Sequence, residues 1–334
     1  MSRALSLLSS APSSQPLRAA DAAYLATLLH PSQCIALQAT ALEALCLRQA
    51  CGECLTSALS ASICAAATAL ASAPAPAPAL LARAVRLLTM LCQSQHAALL
   101  LASPALHALA AGLLARDPAS DGCECTLATV TLVNEALLRA PPGPDALVAA
   151  GLLPFLARAA AAHAWAPLSY QLSVCVQNAT TGSEARKDAG VAAGLGPALA
   201  ALLPAHLAPS SDDSAPCVVL RYSSGDVVQQ PLDPGYSSVR KMALNSACMA
   251  LATLASDTGG VLGPGSLARV DALLGEGSPV LPELVSTWHL HRNMPGALAA
   301  LHNCGTTPAR RNGLRAAAGA LGCKLLSALG LPLN

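Results

Sequence analysis

QNATTGSEARKDAGVAAG, from Gln177 to Gly194, is nearly restated 125 residues later as HNCGTTPARRNGLRAAAG, from His302 to Gly319. Asn178 aligns with Asn303, Thr181 with Thr306, Arg186 with Arg311, and Ala193-Gly194 with Ala318-Gly319. A third partial copy lies upstream, where AAGLLPFL (Ala149–Leu156) parallels AAGLGPAL (Ala192–Leu199). Asn134 and Asn178 precede these two copies and stand 44 residues apart. Going further back by 45 and then 43 residues reaches Thr89 and Cys46 in similar apolar surroundings. A period of this length is that of a two- or three-helix unit that buries its apolar face by stacking on the next.

One unit can be read in detail. Ser183 is a side-chain cap for a short helix through SEARKDAGVAAG, and Gly194 supplies the left-handed backbone that ends it. Pro197 opens a second helix, PALAALLPAHL, where a missing N–H costs nothing. A longer third helix then runs toward the Asn position, and Pro31, Pro167 and Pro295 mark where such third helices begin.

Composition agrees with stacked helices. Hydrophobic residues make up 54% of the 334-residue chain, yet aromatics only 2%, with a single Phe at 155. Ala and Leu carry the apolar content, and both are strong helix formers. Small side chains suit thin layers of closely packed helices better than one large core, where aromatics supply most burial per residue. The net charge is +1 with 11% charged residues and no basic run. That argues against nucleic acid, which needs several phosphate-neutralising cations. Thirteen scattered cysteines read as reduced thiols packed as small hydrophobes. Cys51 and Cys54 form a CxxC with no second ligand pair, so no metal site is expected.

Two long charge-free stretches, 55–82 and 87–115, raise the question of a membrane. They are Ala-rich and interrupted by Pro, Gln and His, and no membrane span is expected. The N-terminus, MSRALSLLSSAPSSQPLRAA, has Arg, many Ser and no acid before Asp21. It reads first as a capping helix, giving a cytoplasmic protein, and alternatively as a mitochondrial transit segment.

Together these residues resemble the armadillo repeat family. VQNATTGSEARKDAGVAAGLGPALAALL and LHNCGTTPARRNGLRAAAG match its junction between a long third helix ending in Asn and the following short helix. LLHPSQCIALQATALEAL matches the entry into a third helix. The resemblance implies an all-α, right-handed α-solenoid of armadillo-like repeats over the single domain 1–334. The approximate units are 1–49, 50–93, 94–139, 140–182, 183–256 and 257–330. It also implies a concave groove lined by third helices, in which Asn134, Asn178 and Asn303 contact a protein or peptide partner, with Arg186 and Arg311 beside them. An amide suits such work because it both donates to and accepts from main-chain groups. The other reading of these Asn residues is a helix cap or a bond to the neighbouring repeat. The importin-α subgroup places Trp four residues before the Asn, where this chain has Val130, Val174 and Ala299.

Two irregularities break the period. Asn178 to the next equivalent, Thr253, is 75 residues. The excess is 208–238, whose CVVLRY and DVVQQ flank an SSG turn and predict a small β-hairpin inserted between a second and a third helix. Residues 275–293 are also long, and an extra helix carrying a partly buried Trp288 is expected there. His289 and His291 point to different helix faces and predict no metal site.

No catalytic residue set is present. GVLGPGS (260–266) follows a helix rather than a strand, which disfavours a phosphate cradle. No paired carboxylates or activated nucleophile emerges. No enzyme activity and no cofactor are expected. The expectation is a non-catalytic interaction scaffold or adaptor, within a cytoskeletal, ciliary or organellar assembly. The alternative is an importin-α-like peptide-binding transport receptor.

Overall fold

Proline sets the helix starts. Pro78, Pro104, Pro118, Pro144, Pro264, Pro295 and Pro308 are each the first residue of a helix, where φ is already helical and the absent N–H has no intrahelical acceptor to lose. The computed structural model describes residues 19–332, except 31, 51–56, 73–76, 95–96, 98–101, 140–142, 208–216, 222–226, 232–238 and 258–263. The N-terminal 1–18, the Cys51/Cys54 pair, Pro31, most of the 208–238 insertion and most of 260–266 therefore lie outside the described residues. Among the described residues the chain is helical, apart from two five-residue strands, Cys217–Arg221 and Val227–Pro231, that pair with each other.

The chain divides into two compact units, residues 1–151 with 218–230, and residues 152–217 with 231–334. The first contains α1 (Ala19–Leu28), α2 (Ile35–Ala50), α3 (Ser57–Ala71), α4 (Pro78–Cys92), α5 (Pro104–Leu114), α6 (Pro118–Arg139) and the short α7 (Pro144–Ala149). Helices α2, α4 and α6 pack side by side in one row, and α1, α3 and α5 in a second. Between the rows lie Leu25, Leu42, Ile63, Leu81 and Leu88, all essentially without exposure. Gly122, at φ 78°, breaks the first turn of α6 from the rest.

The second unit contains α8 (Leu152–Ala162), α9 (Ala166–Thr180), α10 (Glu184–Ala192), α11 (Leu195–Leu207), α12 (Val239–Ala255), α13 (Pro264–Leu273), α14 (Val280–Leu290), α15 (Pro295–Cys304), α16 (Pro308–Ala317) and, after a 3-10 turn, α17 (Gly322–Ala328). Here three rows form: α8–α11–α14, α9–α12–α15, and the short helices α10–α13. Helix α16 packs on α14 and α17. The recurring Ala-Ala-Gly has one function throughout: Gly151, Gly194 and Gly319 all adopt positive φ, at 97°, 82° and 55°, which L side chains rarely do.

Three sequence expectations are corrected. Helix α14 is not an extra element, because it continues the row α8–α11, and the added length lies in the connections around it. Trp288 is buried, at 2% exposure, rather than partly buried. The second helix of the 183–256 unit starts at Leu195, two residues before Pro197, because the chain re-enters helical geometry as soon as Gly194 has turned it. The alignment of the two opening stretches also shifts by one at the short helix. Ser183 caps α10 by accepting from Arg186 N–H, and Thr307 caps α16 by accepting from Arg310 N–H. Arg186 therefore corresponds to Arg310, and Arg311 to Lys187.

Candidate functional site

The row α9–α12–α15 is the best candidate for a functional surface, and its character follows from which residues remain outside the packing. On α12 a narrow stripe stays partly exposed: Met242, Asn245, Met249 and Thr253. These positions are spaced three or four apart and share one helix face. Nearly everything else from Ala243 to Ala255 is buried. Helix α9 shows an equivalent stripe at Pro167, Gln171, Val174 and Asn178, and α15 one at Pro295, Ala299 and His302. Since α12 packs on α9 at one side and on α15 at the other, the stripes are neighbours. In these three helices the charged side chains are Arg240 and Lys241, both in the first turn of α12, and no carboxylate occurs.

The amides along this row hold it together. Asn303 Nδ2 donates to Ala252 O at 2.9 Å. Asn245 Oδ1 accepts from Gly296 N–H at 2.9 Å. Gln177 Nε2 donates to Ser246 O at 3.3 Å. Each bond crosses from one row helix to the next. Asn178 is partly exposed in the last turn of α9. Asn134, on α6 of the other unit, is buried, at 7% exposure, and lies beside a second crossing: Gln93 Nε2 donates to Glu135 Oε1 at 2.8 Å, and Arg139 pairs with Glu135 at 3.1 Å. The sequence reading placed Asn134, Asn178 and Asn303 at the ends of row helices, and the structure puts all three in such helices. It did not anticipate Gln177 and Asn245, whose partners lie 69 and 51 residues away and leave no local signal.

The two predicted arginines serve the short helices. Arg186 donates from Nε to Ala179 O at 2.6 Å and from Nη2 to Thr181 O at 2.8 Å, satisfying carbonyls at the end of α9. Arg311 is partly exposed on α16, and its buried Nε has no hydrogen-bond partner among the described residues. Beside Arg186 lies an ionic cluster. Lys187, at 2% exposure, donates to Glu184 Oε1 at 2.9 Å and Ser256 O at 3.0 Å. Arg269 of α13 reaches back to Glu184 Oε2 at 2.5 Å, Asp188 Oδ1 at 2.7 Å and Ser256 O at 2.8 Å. Arg310 of α16 likewise reaches back to α13, to Asp271 Oδ1 and Leu267 O. Lys187, Arg269 and Arg310 each meet a carboxylate and a carbonyl, as buried charges require.

A cleft of about 370 Å³ is lined by Pro282, Val285, Ser286, Trp288, His289, Ala317 and Ala318, so a single titratable group borders it. Buried cysteines Cys175, Cys248 and Cys304 have thiols pushed up to about 12 by desolvation, which suppresses the thiolate needed for nucleophilic work. Among the described residues no group of three or more metal-ligating side chains is clustered. No single described helix is long and apolar enough to cross a bilayer, and α10 and α11 meet that test only as a pair bent by 70°.

No protein-family model matches the chain, and no curated protein matches it.

Proposed function

We propose that the chain is an armadillo-like α-solenoid and acts as a non-catalytic protein-interaction scaffold, with the exposed face of α9–α12–α15 as its docking surface. The observation that carries this reading is the set of adjacent, carboxylate-free stripes on three neighbouring helices, each otherwise packed. Apolar and amide side chains that remain at the surface in register, while their helices are buried on other sides, form a contiguous patch of the kind partners cover. The two partly exposed methionines, Met242 and Met249, are unbranched and adapt to a partner's shape. The 43–45 residue period and the row-on-row packing support the repeat architecture, and the paired strands at 217–231 support a small hairpin inserted between α11 and α12.

The peptide-carrier alternative is less well supported. A basic signal peptide needs acidic counter-charges, and the three row helices have none. It also needs amides available to main-chain groups, while Asn303, Asn245 and Gln177 each commit an atom to a neighbouring helix.

Site-specific photo-crosslinking tests the docking face. A photoreactive amino acid at Val174, Met249 or Ala299 is expected to trap a cellular partner that the same probe at Ala201, exposed on α11, does not. Equal trapping at Ala201, or none at the stripe positions, removes this reading.

A further inference from the structure

We infer that His206 is an acid-operated latch: protonating its imidazole releases the last turn of α11 from the start of α12, while the rest of the second unit stays folded. Three observations lead to it, and none depends on what docks on α9–α12–α15.

The first is an orphaned ring. His206 is 4% exposed, and neither Nδ1 nor Nε2 has a hydrogen-bond partner among the described residues. Buried polar side chains are as a rule paired, and these two nitrogens give up hydration with nothing in return. Leu or Met would fill such a position without that loss. What imidazole adds is a charge that appears as pH falls.

The second is that the surroundings oppose the charge. The helices packed on α11 are α8, α9, α10, α12 and α14. They carry Arg158 on α8, Arg240 and Lys241 on α12, and Glu283 and His289 on α14, while α9 has no charged residue or His. Those of α10, Glu184, Arg186, Lys187 and Asp188, are committed to the contacts described above. Of all these Arg240 acts on His206 and disfavours its charge, while Lys241 acts on His291. The last turn of a helix ordinarily favours a cation. Burial first and Arg240 second outweigh that here and push the imidazole down to about 4.

The third is that little else holds the turn. Among the described residues from Pro204 to Met242, His206 is the only buried one. Pro204 stands inside α11 and lacks the N–H that would reach Ala200 O. One side chain thus anchors the turn, and it is the side chain that titrates. Weakly anchored segments of this kind open without the whole domain. An open turn returns the imidazole to water and to its ordinary 6.5. The latch is therefore closed above about pH 6.5 and loosens as pH falls toward about 4.

The test is hydrogen exchange of the full-length chain, read by mass spectrometry, with rates corrected for the intrinsic effect of pH. The amides of 205–207 are expected to lose protection by about twentyfold between about pH 7 and about pH 5. Their protection should stay below that of 244–254 in α12 and ignore low urea, as a local opening does. His206→Met, which cannot titrate, is expected to remove the pH dependence, and Arg240→Gln to shrink it. Circular dichroism of each variant checks that folding is intact. If protection at 205–207 ignores pH, the turn frays without releasing His206 and the inference is overturned. If 205–207 and 244–254 are equally protected and both respond to urea, the imidazole is released only by unfolding of the unit, which also overturns it. A pH dependence that survives His206→Met belongs to another group and overturns it as well. So does an NMR titration of the wild-type His206 ring near its ordinary value with the turn still protected, a reading that needs no variant.

Discussion

At the scale of single residues, Glu184 does the most. It is shared by Lys187 and Arg269, both buried, whereas Asp188 meets Arg269 alone. Glu184→Ala removes the carboxylate that two buried cations share and is expected to cost about 3 kcal/mol. Asp188, more than half exposed, is solvated in part already, so Asp188→Ala should cost about 1 kcal/mol or less. Urea denaturation of both variants measures the difference. His206 gives a pH signature. Burial first and the nearby Arg240 second push its imidazole down to about 4 from an ordinary 6.5. The unfolded chain therefore binds a proton that the folded chain refuses, so stability falls as pH drops from about 6.5 to about 4, by on the order of 3 kcal/mol in all, and levels off below. His206→Gln should flatten that part of the curve of melting temperature against pH. At this scale the sequence was legible where a residue acts on its neighbours, as Ser183 does three positions along. It was not legible where the partner is remote. Asn303 could cap, bridge or bind by sequence alone, and in the structure it bridges to Ala252 O. Asn303→Ala should then lose about 1 kcal/mol of stability, read by thermal melting.

At the scale of elements, proline and glycine made the short helices readable, because both act through local backbone geometry. The row to which a helix belongs was not. The segment 275–293 looked surplus by counting, yet Leu284 and Val285 give α14 an apolar face that continues α8 and α11. Close packing between elements is sharpest at Gly296, where an added Cβ would stand 2.5 Å from Asn245 O and 3.0 Å from Cys248 Cβ. Backbone on that side cannot yield as a flexible side chain can. Gly296→Ala is therefore expected to separate α12 from α15 and to lower stability by about 1–3 kcal/mol, despite the better helix propensity of Ala. A melting temperature equal to or above wild type would show that the two helices have room to spare.

Over the whole molecule, the period was legible and the number of rows was not. A 44-residue spacing is compatible with two helices or three, and among the described residues two rows can be traced in the first unit and three in the second. The third row of the second unit comes from short-helix segments such as 184–192, whose capping Ser and terminal Gly are clear in the sequence. Cysteine reactivity reports on both units at once. Cys34 and Cys323 are exposed, whereas Cys64, Cys92, Cys125, Cys175, Cys248 and Cys304 are buried with thiols raised by desolvation. In native protein, alkylation followed by mass spectrometry is expected to modify Cys34 and Cys323 before the buried cysteines among the described residues. The buried set should react only as urea opens the unit that holds each one.

The ionic ties of the short helices also have an order in time. Lys187 and Glu184 leave the ribosome well before Ser256 and Arg269, which lie 69 and 85 residues further along. Asp271 likewise precedes Arg310 by 39 residues. A nascent α10 thus carries two carboxylates, Glu184 and Asp188, that wait for Arg269 of α13, and α13 in turn presents a carboxylate, Asp271, that waits for Arg310 of α16. The chain is closed from its amino end toward its carboxyl end, one clasp at a time, and a translational pause between residues 200 and 256 would hold the second unit with its first clasp still open.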